Sequence, residues 1–373
     1  MKRWLCFLLS LLLCLPLGFA RADGLSGDVN ENGALDASDA AAILRHVVSL
    51  SELSEDALAL ADYNASEDVT AADAAGILRA IVGFSVETPK QPLEGKVVLL
   101  DAGHGQNPVT GSYLGGITAR EDGSYYYEAN IVLDIVLRAK EKLEEAGATV
   151  LLSRSDTDMV GNYVRMAWVH QHCLSRLMEQ TDEDDLLSEY ERLYGIMEQV
   201  KEEYVPETDK SGKTATIYFD TPYDYDMERV IHPDLLKLFT WEADALFSDT
   251  VFLSVHTNAS DTNSERRGIV VYCMDNEFNA TYCTAYQEER NALLGEAMLD
   301  CLDAASDLSN QRESISINDY FMIREHNLPA ALLELGYHSN ASDRRILESE
   351  SGRDDLAEGI LNGVIAYFSD LDA

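Results

Sequence analysis

Short apolar runs recur from residue 97 onward, and between them the apolar positions change to helical spacing. The runs at 97–100, 149–153, 252–255, 268–272 and 330–333 have the length of buried strands. Between the first two, Ile131, Leu133, Ile135, Val136, Leu137 and Leu143 form an apolar stripe that predicts a helix over 129–146, stopped by Gly147. Further helices are predicted over 291–302 and, closing the chain, 356–367. Strands that alternate with helices predict an α/β fold, a mostly parallel sheet with helices on both faces.

Before residue 95 the pattern is different. An internal repeat begins Asp28-Val-Asn30-Glu-Asn32-Gly33-Ala-Leu-Asp36-Ala-Ser-Asp39 and returns as Asp62-Tyr-Asn64-Ala-Ser66-Glu67-Asp-Val-Thr70-Ala-Ala-Asp73. Each copy runs into a short helical segment ending Ile-Leu-Arg. Oxygen-bearing side chains fall at loop positions 1, 3, 5, 9 and 12 of each copy, the spacing of a calcium loop. Gly33 supplies the sharp turn at position 6, whereas Glu67 replaces it in the second loop, which is expected to bind calcium more weakly. Aspartate at position 12 departs from the glutamate of an EF-hand. The expected calcium ligands are Asp28, Asn30, Asn32, Asp36 and Asp39, then Asp62, Asn64, Ser66 and Asp73. A small all-α calcium-loop module is expected over 23–85. Residues 86–94, with Pro89 and Pro92, read as a stiffened linker to a domain over 95–373.

Residues 1–22 read as an export signal: Lys2 and Arg3, an apolar stretch from Leu5 to Leu17, then Ala20-Arg-Ala22 as a small-residue cleavage site. The stretch is short for a membrane span, and no later one is longer, so a secreted protein without a transmembrane anchor is expected, extracellular or cell-wall associated. Net charge is −38, from 28 basic and 66 acidic residues. That excludes nucleic acid and anionic membrane as main partners, both of which need a basic footprint. Cys173, Cys273, Cys283 and Cys301 remain after the signal; Cys273 and Cys283 could pair or stay as buried thiols.

The candidate chemistry lies at the ends of the predicted strands. Asp101-Ala-Gly-His104-Gly105 follows the first, and its glycines permit a sharp turn around the histidine. His256 follows the third and Glu334 the last, while Glu128 stands at the start of the first helix. Parallel strands bring their carboxyl ends to one edge, where open α/β sheets place their sites. Two histidines and a carboxylate suit a zinc ion with an open fourth position, and a further carboxylate beside it suits general acid–base work. These residue types specify a zinc amide hydrolase and no particular substrate.

Four motifs in order resemble the zinc-dependent N-acetylmuramoyl-L-alanine amidases of the type 3 family. Asp-Ala-Gly-His104-Gly is similar to the family's Asp-Pro-Gly-His-Gly, with Ala102 for proline. Glu128-Ala-Asn-Ile-Val-Leu-Asp-Ile135 is similar to its metal-glutamate helix, Ser254-Val-His256-Thr-Asn258-Ala to its Ser-Ile-His-Ala-Asn-Ala, and Leu333-Glu334-Leu-Gly-Tyr-His338-Ser-Asn340 to its Val-Glu-Leu-Gly-Phe-Ile-Ser-Asn. The resemblance implies His104, Glu128 and His256 as zinc ligands, with Glu121 a nearby alternative to Glu128 that lacks the helical pattern behind it. It further implies Glu334 as the catalytic carboxylate, Asn258 as a substrate contact and Arg165 as a structural residue. The implied substrate is the amide between the lactyl group of muramic acid and L-alanine in peptidoglycan. The N-terminal repeat resembles the type I dockerin duplication, which implies calcium-dependent folding and a cohesin-type scaffold partner met near Ala37-Ser38 and Ala71-Ala72.

The family passes quickly from Arg165 to the His256 strand; here an acidic insertion at about 173–242 intervenes. It carries the charge run 181–185 and the tyrosine-rich stretch 216–226. It is expected to form a lid or groove wall over the zinc site. His170 and His172, two apart on a helix, point to different faces and do not form a metal pair. His232, His326 and His338 read as surface or supporting groups. Another zinc amide or peptide hydrolase, or a catalytically silent cell-wall or cohesin-docking protein, stands as the alternative function.

Overall fold

The computed structural model describes residues 26–82 except 67, and 91–371 except 114, 121, 203–246, 276–286, 309–314 and 319. The expected signal segment, Cys283, His232, Glu121 and the tyrosine-rich stretch 216–226 lie outside them. The chain divides into two units, 1–91 and 92–373.

The first unit is all-helical: α1 (Ala37–Val47), α2 (Glu55–Ala61) and α3 (Ala71–Ile81). α1 and α3 each begin on a loop of the repeat and carry a capping box, Asp36 with Asp39 and Thr70 with Asp73. Their buried faces meet in a small core of Val29, Ala40, Ile43, Ala57, Leu60, Ala61, Ala74 and Ile77.

The second unit is built on a six-stranded sheet of order β4-β1-β5-β8-β6-β7. Its strands are β1 (Val97–Ala102), β4 (Thr149–Leu152), β5 (Thr250–Asn258), β6 (Ile269–Cys273), β7 (Ser316–Ile317) and β8 (Ala330–Tyr337). β4, β1, β5 and β8 are parallel. β6 runs antiparallel to β8 and carries β7 on the edge, so the sheet is mostly, not wholly, parallel. Successive residues of a strand face opposite ways. Val98, Leu100 and Ala102 therefore enter one core with α4 (Glu128–Glu145), α7 (Glu288–Ala305) and α10 (Glu350–Leu371). Leu99 and Phe252 enter the other, with α5 (Asn162–Gln180), α6 (Asp184–Glu202) and α8 (Phe321–Arg324). Helices cover both faces, as the alternating pattern predicts. α9 (Ala341–Glu348) follows β8. No helix among the described residues is long and apolar enough to cross a membrane.

The first part of the insertion is scaffold. Cys173 lies within α5, which continues to Gln180. α6 packs on α5 through Tyr190, Leu193, Met197 and Val200, and Lys201 Nζ donates to Gln171 Oε1 at 3.0 Å. The charge run behaves as a solvated helix start: residues 182–185 are exposed, and Asp184 and Asp185 occupy the first turn of α6, where the dipole favours them. Cys273 is a buried free thiol whose Sγ donates to the Asn291 carbonyl at 3.2 Å.

A two-stranded hairpin, β2 (Ile117–Ala119) and β3 (Tyr125–Tyr127), stands apart from the main sheet and runs directly into α4. The sequence pattern does not predict it. Its strands are three residues long, too short for an alternation to register.

Candidate functional site

The carboxyl ends of β1, β5 and β8 lie side by side, and the residues expected there meet. His104 follows β1 in a left-handed conformation, φ 57°. Two arginines fix that loop by its carbonyls. Arg154 donates to Ala102 O and Gly103 O, each at 2.9 Å, and to Ala129 O at 2.7 Å. Arg165 of α5 donates to Ala102 O at 2.7 Å and also to His104 O. Beneath the loop Asp101 is fully buried. Burial alone would raise its pKa, but Arg165 at 2.7 Å and the hydroxyls of Ser153 and Ser254 outweigh it and hold the carboxyl below its ordinary range. Arg165 thus ties α5 to the strand end and to the loop that carries His104. Arg154 was not foreseen, because a single arginine after a strand has no pattern to mark it.

Glu128 is the first residue of α4, delivered by the hairpin and tied to it by its own N–H, which donates to Gly116 O at 2.8 Å. Its side chain turns inward and is 3% exposed, which separates it from an ordinary dipole-favoured helix start. Oε1 lies 3.0 Å from His256 Nδ1 and accepts the Thr257 backbone N–H at 2.9 Å. Oε2 lies 3.1 Å from His104 Nε2. Burial opposes its ionisation, and the two imidazoles overcome this and hold the carboxyl well below the ordinary range. One donor atom from each of His104, Glu128 and His256 lies within 4.8 Å of the others.

Glycines make this convergence possible. A Cβ on Gly103 would meet His256 Cε1 at 2.3 Å, and one on Gly116, φ 60°, would meet Glu128 Oε2 at 2.4 Å. The glycine that leaves room beside His104 is Gly115, whose added Cβ would stand 3.1 Å from the ring.

Glu334 is directly opposite His256 in the β5–β8 ladder. It is half-buried, and its Oε2 is shut off from solvent with no hydrogen-bond partner among the described residues. Burial pushes its pKa up to about 8; the His256 ring opposes this and the Glu128 charge adds to it. Asn258, past a bulge at the end of β5, turns its Oδ1 to the N–H of Ala259 at 2.8 Å.

Two histidines read as surface or supporting are deeply buried. His326 is 3% exposed, its Nε2 lies 3.0 Å from the Met322 carbonyl, and burial lowers its pKa to about 4. His338 is 2% exposed and stands beside Glu128. His170 is also buried within α5, with a pKa lowered well below the ordinary value, first by burial and then by His326.

The donor set fits a borderline-soft divalent ion: two imidazoles and a carboxylate already ionised, all on rigid elements. Glu128 brings two buried oxygens that accept from the Thr257 N–H and face the rings of His104 and His256, and a bound cation would complete their charge balance.

In the first unit both loops have one shape. Asp28 accepts from the N–H of Asn32 and Gly33, and Asp62 from that of Ser66. Asn30 and Asn64 each accept from the residue two further on. Asp39 and Asp73, both fully buried, each accept two backbone N–H groups of their own loop. Glu31 and Ala65 share a left-handed φ of 57° and 56°. The hard oxygen donors of Asp28, Asn30, Asn32, Asp36, Asp39, Asp62, Asn64, Ser66 and Asp73 suit calcium.

The model of the N-acetylmuramoyl-L-alanine amidase family matches residues 98–177 and 242–366, more than half of the chain, and that of the dockerin type I domain matches 26–82. Residues 178–241, between the two amidase segments, are not matched. The amidase LytC of Bacillus subtilis is 22% identical over 279 residues, 75% of this chain and 37% of that protein. The probable cell wall amidase LytH of Staphylococcus aureus is 32% identical over 121 residues, 32% of this chain and 35% of that protein. The chain thus spans little more than a third of the length of these relatives. Among solved structures, the CwlD amidase of Clostridioides difficile, in complex with the GerS lipoprotein, aligns with a TM-score of 0.44 at 19% identity, over 74% of this chain and 100% of that one. The CwlV catalytic domain of Bacillus (Paenibacillus) polymyxa aligns with 0.43 at 21%, over 74% and 98%. By its sequence matches the chain belongs to the N-acetylmuramoyl-L-alanine amidase family and carries an N-terminal dockerin type I domain.

Proposed function

We propose that the protein is a secreted, zinc-dependent peptidoglycan hydrolase that cleaves the amide between N-acetylmuramic acid and L-alanine. The observation that carries this is the meeting of His104, Glu128 and His256, with Glu334 opposite His256, at one sheet edge of an amidase-family chain. His104, Glu128 and His256 would hold the zinc. When bound, the ion supplies Lewis-acid chemistry that makes water a nucleophile near neutral pH and polarises the scissile carbonyl.

Glu334 takes the proton from the attacking water and returns it to the leaving amine. Its raised pKa makes it a stronger base than an exposed carboxylate, and its unpartnered oxygen has no competing donor. Arg154 and Arg165 keep the His104 loop rigid, and Glu128 keeps His256 oriented. Asn258, at the end of β5, serves as a substrate contact. Tyr113 stacks on Tyr127 at 4.3 Å beside this edge, and Tyr125 is 51% exposed; such ring faces suit sugar or peptide.

The N-terminal domain docks the enzyme to a cohesin-type scaffold, extracellularly or at the wall, with calcium in both loops. Ala37, Ser38, Ala71 and Ala72 are exposed. So are Leu44, Val47 and Val48 of one repeat and their counterparts Leu78, Ile81 and Val82 of the other, an apolar surface presented twice.

Digestion of purified peptidoglycan, read by mass spectrometry, tests the activity. Intact stem peptides freed from glycan are expected, with loss on chelation, recovery with zinc, and a fall of at least about 10²-fold in Glu334→Ala. Cleavage inside the stem peptide would indicate a peptidase, and undiminished activity of Glu334→Ala would remove Glu334 from its role.

A further inference from the structure

His338 takes no part in the mechanism above, yet it is buried against the metal-holding carboxylate. Two contacts hold its ring, and its backbone is tied as well. Nδ1 lies 2.7 Å from Thr118 Oγ1 on the hairpin. The ring stacks on Tyr126, centroids 4.9 Å apart and planes at 10°. Its backbone N–H donates to Asn258 O and its carbonyl accepts from Arg344, each at 2.8 Å.

What remains is Nε2, and it faces Glu128 Oε2 at 3.8 Å. That oxygen matters. Oε1 is already engaged by His256 and the Thr257 N–H, whereas Oε2 meets only His104 among these contacts, leaving lone-pair capacity on the His338 side. If the Thr118 hydroxyl donates to Nδ1, the neutral ring carries its hydrogen on Nε2 and presents it to the carboxylate. A contact somewhat longer than a hydrogen bond is common in such sites before they are loaded. The Tyr126 hydroxyl in turn lies 3.2 Å from Thr257 Oγ1, so the stacked pair and both Glu128 oxygens belong to one buried polar cluster.

We propose that His338 is a positioning residue. Through the chain Thr118–His338–Glu128 it orients the metal-holding carboxylate from the hairpin side and strengthens metal binding. It does the work of an outer-sphere partner, and losing such a partner typically costs about 10–100-fold in metal affinity. The inference rests on the reading of His104, Glu128 and His256 as a zinc site.

The test is zinc affinity of the full chain, measured by competition with a chromophoric chelator, beside the melting temperature of the metal-free protein. His338→Ile, which leaves an apolar side chain in place but removes both ring nitrogens, is expected to weaken zinc binding about 10–100-fold. His338→Gln, whose amide N–H can take the place of Nε2–H, should recover most of it. Thr118→Val, nearly isosteric, should weaken binding by a smaller factor while leaving the metal-free melting temperature within a degree or two of wild type. Wild-type affinity in His338→Ile, or equal losses in the Gln and Ile variants, would overturn the proposal; equal losses would make the ring lone pair itself a metal ligand. Failure of the underlying zinc reading looks different: the wild type would then bind no stoichiometric zinc, or His104→Ala would leave binding intact.

Discussion

At the scale of single residues, the site depends on what is missing as much as on what is present. Gly116 has a left-handed φ of 60°, which alanine adopts at a cost of about 1–2 kcal/mol. The heavier consequence is steric, because the added methyl would sit 2.4 Å from Glu128 Oε2 and 2.6 Å from its Cβ. Gly116→Ala is therefore expected to displace the carboxylate and lower zinc affinity about 10–100-fold, as chelator competition would read. Wild-type affinity in that variant would show that the hairpin yields instead. Glu334 gives a second residue-scale prediction. Its pKa, raised from 4.5 to about 8, means that the folded metal-free protein holds the proton more tightly than the unfolded chain. The stability this contributes is present below pH 4.5 and is lost as pH rises through about 8. Glutamine cannot ionise. In the presence of chelator, the melting temperature of Glu334→Gln relative to wild type should climb across that window and level off above it. A flat difference would mean that the carboxyl is ionised in the fold at neutral pH.

At the scale of elements, what the sequence reveals depends on length and on pattern. The strands at β1, β4, β5, β6 and β8 are legible because each is a run of apolar residues that no loop would tolerate, and α4 because its apolar stripe continues from Ile131 to Leu143. His104, His256 and Glu334 are legible as polar residues that end such runs. The hairpin that aims Glu128 is not: three tyrosines in a three-residue strand look the same in a loop. α6 hides for another reason, since its acidic face obscures Tyr190, Leu193, Met197 and Val200, which pack on α5. Arg154 and His338 act through contacts far apart in sequence, which periodicity cannot show. Arg154 shows what such a contact supports, because it links the loop after β1 to the first turn of α4 through Gly103 O and Ala129 O. Arg154→Met keeps the length of the side chain and strips those carbonyls of their donors. A loss of at least about 3 kcal/mol is expected from several charged hydrogen bonds broken in a buried place. Urea unfolding of the metal-free chain would read it, and a loss below 1 kcal/mol would mean that water replaces the guanidinium.

At the scale of the whole molecule, two units with separate cores offer donor sets of opposite chemical preference. The larger unit has an extensive core on each sheet face and does not need a metal to fold. The smaller has a core of eight buried apolar residues among the described residues, a size that natural domains supplement with staples. Its loops hold Asp39 and Asp73 fully buried, with charges offset by backbone N–H groups and, at Asp73, by the Thr70 hydroxyl at 3.3 Å, so calcium is expected to supply much of its stability. The imidazoles of the catalytic site disfavour calcium, and the all-oxygen loops have no soft donor for zinc. Calorimetry of the metal-free chain, titrated with each ion in turn, should therefore show two independent responses. A ligand at 100 times its dissociation constant adds about 2.7 kcal/mol to the unit that binds it. Calcium should raise the transition of the small unit alone, and zinc that of the large one alone. Within the small unit the two loops are unequal in sequence, because position 6, where a calcium loop favours glycine, is Gly33 in the first and glutamate in the second. Asp39→Ala should then remove more of the calcium response than Asp73→Ala, and the double variant should abolish it while leaving the zinc response untouched. A calcium shift that survives the double variant would place the ion elsewhere, and a calcium shift in the catalytic transition would end the separation of the two metals.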